Sequence, residues 1–187
     1  MAAADRLQRL TLISGPAGSG KSRWAEHLAS TSARPVAYVA TGPQLPDDAA
    51  WQERLEIHRR RRPPQWQCLE VEGHLSSALA ALPPSQLALV DSLGTWVAAH
   101  LGATPAVWDA LCGELLEVLS RPGGPVLLVV EECGWGVVPA TGVGGLFRER
   151  LAAIQQRLAL RSAASWLVLQ GRALDLHSLG QIVPSAF

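Results

Sequence analysis

The sequence predicts an α/β fold in which a mostly parallel sheet carries helices on both faces, and three observations support this prediction. Short apolar runs recur without the alternation of half-exposed strands, which is typical of strands buried on both faces. Segments with helical spacing separate these runs, as expected when crossover helices join parallel strands. A glycine or a polar residue follows each run, at the sheet edge where open parallel sheets bind ligands.

The five apolar runs are the predicted strands. They read LTLIS at 10–14, VAYVA at 36–40, LALV at 87–90, VLLVV at 126–130 and WLVL at 166–169. The residues just past them are Gly15, Thr41, Asp91, Glu131 with Glu132, and Gln170. Because the carboxyl ends of parallel strands meet at one edge, we expect a single polar edge that binds a ligand.

Helical spacing predicts the main crossovers. The segment RWAEHLAS, 23–30, follows the first strand closely. Val107, Leu111, Leu115 and Val118 form an apolar stripe after Thr104 and Pro105, a usual cap and first helical residue, and Phe147, Leu151, Ile154 and Leu158 form another. The length of 187 residues suits one domain, 1–187, in which 1–9 and 171–187 stay unassigned.

Composition narrows the function classes. Lysine plus arginine total 16 and aspartate plus glutamate total 16, so the net charge is zero and does not indicate a nucleic-acid partner. Cys68, Cys112 and Cys133 form no CxxC pair, which argues against a disulfide framework and a thiolate zinc site and favours a reducing cytoplasm. We expect neither a signal peptide nor a membrane span, because no apolar run is long enough.

The most specific motif is GPAGSGKS, which fits G-x-x-x-x-G-K-[ST] between a predicted strand and a predicted helix. Its residues are Gly15, Pro16, Ala17, Gly18, Ser19, Gly20, Lys21 and Ser22. In this motif backbone N–H groups surround phosphate oxygens, the lysine reaches the outer phosphates and the serine hydroxyl holds Mg²⁺. A chance glycine-rich turn is the alternative, but the correct flanking elements argue against it.

Asp91 ends the strand LALVD and is the expected acidic partner of Mg²⁺. The alternative is an ordinary strand-end carboxylate or a helix N-cap, since aspartate favours that position.

A second unusual stretch is LEIHRRRRPPQW, 55–66. Trp51, Leu55, His58 and Arg62 step by four, three and four residues, so a helix that ends at the prolines would carry them on one face. A histidine among arginines is usually a solvated helix residue, and four arginines can form a nucleic-acid patch. A phosphate-rich substrate explains them better, because guanidinium groups neutralise phosphates and favour a neutral, nucleophilic histidine.

Several segments together resemble one enzyme family, the bifunctional adenosylcobinamide kinase / adenosylcobinamide-phosphate guanylyltransferases of cobalamin biosynthesis. They are, in order, GPAGSGKSRWAE, YVATG, ERLEIHRRRRPPQW, LVDSLGTW, EECGWGVVP and LFRERLAAIQQRLA. The similarity covers residues 10 to 170, and its most specific parts are the histidine in R-x-x-x-H-R before R-P-x-x-W and the segment G-x-G-[IV]-V-P.

The resemblance implies a RecA-like P-loop fold, often a homotrimer, and a two-stage activity. ATP or GTP first phosphorylates the aminopropanol hydroxyl of adenosylcobinamide. GMP from GTP is then transferred to that phosphate through a covalent GMP–histidine intermediate. The implied partners are therefore nucleotides and a corrinoid.

The resemblance also assigns roles to individual residues. His58 takes the guanylylated position, with Lys21 as its catalytic partner on the leaving phosphates. The nucleotide-contacting positions outside the phosphate loop are Thr41, Gly42, Pro43, Arg59, Arg60, Arg61, Arg62, Glu70 and Asp91, and the metal positions are Ser22 and Asp91. Glu132 and Trp135 are expected on the substrate side, where the indole would stack on a nucleobase or corrin. The alternative for Trp135 is packing against the following helix.

The sequence departs from the family pattern at a few positions. Glu131 and Gln155 stand where asparagine is common, and WVAAHLG lacks the asparagine usual after its tryptophan. These departures leave open a member with only one activity, or a P-loop switch that transfers nothing. A switch has no use for a nucleophilic histidine at the phosphate edge. His27, His74, His100 and His177 show no metal-ligand spacing and receive no role.

Overall fold

A computed structural model describes residues 9–183, except for the side chain of Arg54. Its strands are β1 (Leu10–Gly15), β2 (Val36–Ala40), β3 (Gln67–Glu70), β4 (Leu87–Asp91), β5 (Val126–Glu131), β6 (Ala164–Leu169) and β7 (Arg172–Asp175). Its helices are α1 (Lys21–Ser30), α2 (Ala49–Arg61), α3 (Leu75–Ala81), α4 (Leu93–Ala99), α5 (Pro105–Ser120), α6 (Gly142–Ala159) and α7 (Leu176–Leu179). All five predicted strands are present, with bounds within two residues.

The strands form one sheet in the order β3-β2-β4-β5-β1-β6-β7. Every pairing is parallel except that of β6 with β7. The central strands β1, β4 and β5 are almost wholly buried, which explains their continuous apolar sequence. This arrangement confirms the mostly parallel sheet that the sequence predicts.

Two apolar clusters pack on opposite faces of the sheet. The larger one combines side chains of the sheet with those of α3, α4, α5 and α6. The smaller one covers the other face with residues of α1, among them Leu28, which packs with Tyr38 and Leu89. Helices therefore lie on both faces, as predicted, although most of the buried helical surface is on one face.

Helix α5 begins as predicted, with Pro105 in its first turn and the Thr104 hydroxyl accepting from the Val107 amide. The predicted stripe is rotated, however. Val107 is 51% exposed, whereas the buried face includes Trp108 and Cys112. Leu115 of the predicted stripe is fully buried and Leu111 packs against the core, so the stripe is correct in part. Spacing alone does not identify the core-facing side because the helix is apolar on more than one side.

Two strands had no predicted counterpart. β3 is an edge strand of sequence QCLE that is mostly exposed, so it carries no apolar run. β7 lies in the segment 171–187, for which the sequence predicts no element, and it adds an antiparallel edge beyond β6. Of the unassigned ends 1–9 and 171–187, residues 1–8 and 184–187 lie outside the described residues.

The buried central strands give a direct stability prediction. Leu127 on β5 has no exposed surface, so Leu127→Ala should lower the free energy of unfolding by about 2–5 kcal/mol through lost burial and cavity formation. Urea denaturation measures this change. Val107→Ala is the control, because its side chain is half exposed, and should change stability by less than about 0.5 kcal/mol. Equal losses in both variants would contradict the assigned core.

Candidate active site

A cleft of about 380 Å³ opens at the carboxyl ends of the parallel strands. The phosphate loop and the start of α1 form one side, and α2 forms the opposite side. Of the predicted site residues, those that line it are Ala17, Lys21, Ser22, Gly42, His58, Arg62, Glu70, Asp91 and Glu132. Sequence positions that are more than 100 residues apart therefore meet in one cavity.

The phosphate loop connects β1 to α1. Gly18 and Gly20 have φ angles of 72° and 95°, which glycine adopts without steric cost. Lys21 is buried, and its Nζ donates to the carbonyl of Pro16 at 3.3 Å. The hydroxyl of Ser19 is buried and has no hydrogen-bond partner among the described residues. A buried polar atom without a partner costs free energy, and a phosphate oxygen would relieve this cost.

His58 lies on α2 and faces the cleft as the helical spacing predicted. Its Nδ1 is 3.2 Å from Nη2 of Arg61 and 3.7 Å from Oδ2 of Asp91. The same Asp91 oxygen accepts from the Tyr38 hydroxyl at 2.7 Å. Burial raises the pKa of Tyr38 well above its usual value, and the nearby Asp91 carboxylate adds to this effect, so Tyr38 stays a proton donor.

The four consecutive arginines point in different directions. Arg62 lies on the cleft with its guanidinium 3.5 Å from the centre of the Tyr38 ring. Arg59 reaches Glu70 at the rim, at 3.1 Å. Arg60 pairs with Glu56 at 2.9 Å, with 77% of its side chain exposed, so the structure places Arg60 away from the cleft.

Arg61 lies behind the cleft. Its Nη2 is 3.1 Å from Oε1 of Glu26 on α1, and the same nitrogen contacts His58. Arg62 has a buried Nε that lacks a hydrogen-bond partner among the described residues, while its Nη1 donates to Cys68 at 3.3 Å. The Arg62 guanidinium therefore has a free donor beside the cleft.

The turn after β2 forms the rim next to α2. Trp51 of α2 donates from its indole nitrogen to the carbonyl of Pro43 at 2.9 Å, and its ring lies close to Gly42, where a Cβ would come within 2.9 Å of it. Gln44 donates to Glu70 across this rim. Close approach of Trp51 therefore requires glycine at position 42.

Thr41 is placed differently from its neighbours. Its side chain is fully buried, and its hydroxyl donates to the carbonyl of Ser92 at 2.5 Å and lies 2.6 Å from the hydroxyl of Thr95. The Ser92 amide donates back to Thr41 at 2.9 Å. The Thr41 side chain thus fixes the turn that follows Asp91.

Glu131, at the end of β5, fixes the same turn from the other side. Its carboxylate accepts from the Ser92 hydroxyl and, at 2.8 Å, from the amide of Gly94. A Cβ at position 94 would come within 2.3 Å of Glu131, so this contact also requires glycine. Position 131, where asparagine is common in the family, therefore holds a glutamate that makes a structural contact in the cleft wall.

The segment after β5 carries the residues expected on the substrate side. Glu132 lines the cleft and accepts from the amide of Gly134 at 2.8 Å. Trp135 is 61% exposed, and its neighbours Val137 and Val138 are more exposed still. Most of the indole surface is therefore open to solvent.

Sequence inspection missed several cleft residues. Tyr38, Thr95, Cys133 and Phe147 line it from within segments that carry the family resemblance but received no site role, and Gln44 lines it from outside those segments. Thr95 could have been found from its place three residues after Ser92, since the two form a capping box at the start of α4.

The residues that the structure describes contain no cluster of three or more histidine, cysteine or acidic side chains that could hold a metal alone. The hydroxyl of Ser22 and the carboxylate of Asp91 both face the cleft and are the hard oxygen ligands that Mg²⁺ prefers. Within the same described residues, no helix is long and apolar enough to cross a membrane.

Comparison with known proteins gives a family match over most of the chain. A family model for cobinamide kinase / cobinamide phosphate guanyltransferase matches residues 11–176. The bifunctional adenosylcobalamin biosynthesis protein CobU of Escherichia coli (strain K12) is 33% identical over 177 residues, covering 87% of this chain and 96% of that protein. The bifunctional adenosylcobalamin biosynthesis protein CobP of Pseudomonas aeruginosa is 34% identical over 167 residues, covering 88% and 95%.

Solved structures with the same fold are much more distant in sequence. An ATPase from the type III secretion system of pathogenic bacteria superposes with a TM-score of 0.58 at 12% identity, covering 92% of this chain and 58% of that chain. A protein of Pyrococcus horikoshii OT3 gives 0.54 at 8% identity, covering 89% and 85%. These similarities confirm the predicted RecA-like P-loop fold.

Chemical modification of the three cysteines is an experimental test of the cleft. Burial raises the pKa of Cys133, with the Glu131 carboxylate adding to the shift, and burial raises that of Cys112 to about 11. Thiolates are the reactive species, so at pH 8 iodoacetamide should modify exposed Cys68 first, Cys133 slowly and Cys112 hardly at all. Raising the pH towards 10 should accelerate modification of Cys133. Peptide mass spectrometry measures each rate, and a nucleotide that fills the cleft should slow Cys133. An unchanged Cys133 rate with bound nucleotide would contradict its place in the cleft.

Proposed function

The chain belongs to the cobinamide kinase / cobinamide phosphate guanyltransferase family, and we propose that the cleft between the phosphate loop and α2 is the centre where its two reactions take place. The protein is an enzyme of adenosylcobalamin biosynthesis. It phosphorylates adenosylcobinamide and then transfers GMP from GTP to adenosylcobinamide phosphate, through a GMP–histidine intermediate, to give adenosylcobinamide-GDP. We further propose that residues 1–187 act as one nucleotide-binding domain.

One observation carries the assignment of the site. His58 faces the same cleft as Lys21 and Asp91, although the three residues come from different elements. A histidine opposite a phosphate loop is placed to attack a nucleotide phosphorus, and Lys21 is placed to neutralise the departing pyrophosphate. A nucleotide switch would not need this histidine.

The remaining nucleotide contacts fall into two groups in this proposal. The phosphate loop, Gly15 to Ser22, would bind the phosphates through its amides and the Ser19 hydroxyl, with Arg62 opposite. Gln44, Arg59 and Glu70 lie together at the rim near Gly42 and Pro43. The carboxylate of Glu70 is suited to the N–H edge of guanine, since a carboxylate only accepts hydrogen bonds. Arg60, which is solvent-exposed, would act only through long-range charge.

Mg²⁺ is part of the proposal, with Ser22 and Asp91 as its protein ligands beside nucleotide oxygens. When bound, the ion would neutralise charge that develops on the phosphates. The chain's own contribution is to hold the reactants: the loop positions the phosphates and Lys21 spreads the charge of the transferring group. The phosphoryl-transfer stage therefore requires no covalent intermediate.

The corrinoid would enter beside the segment after β5. Glu132 lies on the cleft, and the exposed Trp135 stands next to it. An aromatic ring of this kind can cover the apolar face of a macrocycle. Trp135 is accordingly proposed as a stacking contact and Glu132 as an orienting group.

Two further parts of the proposal concern assembly and location. A homo-oligomer, with a trimer as the expected form, is supported by exposed apolar side chains such as Val138, Val143, Leu179 and Ile182. A cytoplasmic location is supported by the three cysteines, which are all free thiols.

Covalent labelling tests the central assignment. Protein incubated with Mg²⁺ and GTP labelled at the α-phosphate should retain acid-labile label after denaturation, because a phosphoramidate forms on His58. His58→Ala should retain none. His74→Ala is the matched control, because His74 is exposed and outside the cleft, and it should label like the wild type. Label on His58→Ala, or no label on wild type that binds GTP, would remove His58 from catalysis.

The metal assignment is tested with Ser22→Ala. Loss of the hydroxyl should raise the Mg²⁺ concentration needed for half-maximal kinase activity, because one proposed ligand is missing. Titration of Mg²⁺ at saturating ATP measures this. Ser77→Ala is the control, since the Ser77 hydroxyl bonds the His74 carbonyl far from the cleft. An unchanged Mg²⁺ requirement in Ser22→Ala would exclude Ser22 as a ligand.

A further inference from the structure

A shielded carboxylate outside the cleft has no part in the chemistry above. Glu26 lies on α1, and only 12% of its side chain is exposed. Its Oε1 accepts a hydrogen bond from Nη2 of Arg61 on α2 at 3.1 Å. Burial raises the pKa of Glu26, while the hydrogen bond and charge of Arg61 oppose the shift. The helix that follows the phosphate loop is thus tied to the helix that carries the histidine.

Arg61 also contacts His58. The guanidinium nitrogen that contacts Glu26 is also 3.2 Å from Nδ1 of His58. A guanidinium only donates hydrogen bonds, so Nδ1 must accept with its lone pair, and the proton of a neutral ring is then on Nε2. In this tautomer the Nδ1 lone pair is engaged by Arg61 and Nε2 carries a proton. His58 is therefore not a nucleophile in this arrangement.

A second group faces the same nitrogen and favours the opposite tautomer. Oδ2 of Asp91 is 3.7 Å from Nδ1, and a carboxylate only accepts hydrogen bonds. If Nδ1 turned to Asp91, it would carry the proton, and Nε2 would present a lone pair. Tyr38 holds the Asp91 oxygen in place at 2.7 Å. These two contacts of Nδ1 thus correspond to an inactive and an active histidine.

We propose that Glu26 is a positioning residue for guanylyl transfer: it holds Arg61 on Nδ1 of His58 and keeps the histidine in the non-attacking tautomer until nucleotide phosphates draw Arg61 away. Nδ1 then turns to Asp91. This inference rests on the proposed role of His58.

The reaction that follows is balanced. The Nε2 lone pair of His58 forms a bond to the α-phosphorus of GTP. The bond from that phosphorus to the oxygen shared with the β-phosphate breaks, and its electron pair leaves with pyrophosphate. The proton on Nδ1 stays on the ring, hydrogen-bonded to Asp91. Later a phosphate oxygen of the corrinoid attacks the same phosphorus, and the N–P electron pair returns to Nε2.

The tautomer can be read directly by long-range ¹H–¹⁵N NMR on protein with labelled histidines, with His58→Ala identifying the signals. In wild type without nucleotide we expect the Nε2–H form. Mg²⁺ with α,β-methylene GTP, which cannot be attacked productively, should convert His58 to the Nδ1–H form. Glu26→Gln removes the charge that fixes Arg61 but keeps an acceptor oxygen, so it should shift part of His58 to the Nδ1–H form without nucleotide, whereas Arg61→Leu, which removes the contact itself, should show the Nδ1–H form. Glu56→Gln is the matched control, because Glu56 pairs with Arg60 on the same helix and does not touch His58, and it should behave like wild type.

The rate of covalent labelling provides a second test of the inference. Without corrinoid, Glu26→Gln should acquire label from α-labelled GTP faster than wild type, by up to about tenfold, the limit reached when a minor state of about a tenth becomes dominant. The label should be attached at Nε2. An Nδ1–H form in free wild type, an unchanged tautomer in Glu26→Gln, or attachment at Nδ1 would overturn the inference.

Two measures keep the outcomes distinct. Arg61→Leu breaks the same contact from the other side and should give the same tautomer, so a folding defect of Glu26→Gln, detected by circular dichroism, leaves a second variant that decides. The tautomers are measured without nucleotide. If they differ from the expected forms while the wild type is still labelled, the role of Glu26 is overturned and the proposed function stands. Absence of any label on nucleotide-bound wild type would refute both.

Discussion

Parallel pairing of the buried strands is the constraint on which the rest of the molecule depends. Backbone hydrogen bonds set Gly15 beside Glu131 and Ala40 beside both Asp91 and Glu70. Because all these strands run in the same direction, each loop that carries chemistry leaves the sheet at the same edge. The apolar clusters on the two faces hold this register, since a slip by one residue would turn core side chains outward. The cleft is thus a product of the core.

The polar groups at this edge divide into two kinds. Thr41, Ser92 and Glu131 satisfy one another and form a rigid wall behind Asp91. The Ser19 hydroxyl and the Arg62 Nε are buried without partners among the described residues. The wall has its hydrogen bonds satisfied, so its geometry is fixed before a ligand arrives. The neighbouring donors without partners can then bind a charged ligand.

Much of the fold, and the motifs of the site, could be predicted from the sequence because they have local causes. Buried strands such as β5 need continuous apolar residues, and the loop from Gly15 to Ser22 needs its glycines. Other features depend on tertiary packing. β3 is an exposed edge strand, α5 turns a different side to the core, and the directions of Arg60 and Arg61 follow from where α2 lies. Nor could the burial of Glu26 be predicted, since it requires α2 to pack over α1.

Helix α2 is attached to the molecule in an unusual way. None of its described side chains is fully buried, and its contacts with the rest of the protein include those of Trp51 to Pro43, Arg61 to Glu26 and Arg59 to Glu70. Moving the helix therefore exposes little apolar surface, and ionic contacts are the kind that dissolved salt weakens. The enzyme's histidine thus lies on a helix whose ionic contacts with the rest of the protein should weaken as salt rises, so the electrolyte around the protein becomes a determinant of how readily its cleft changes shape.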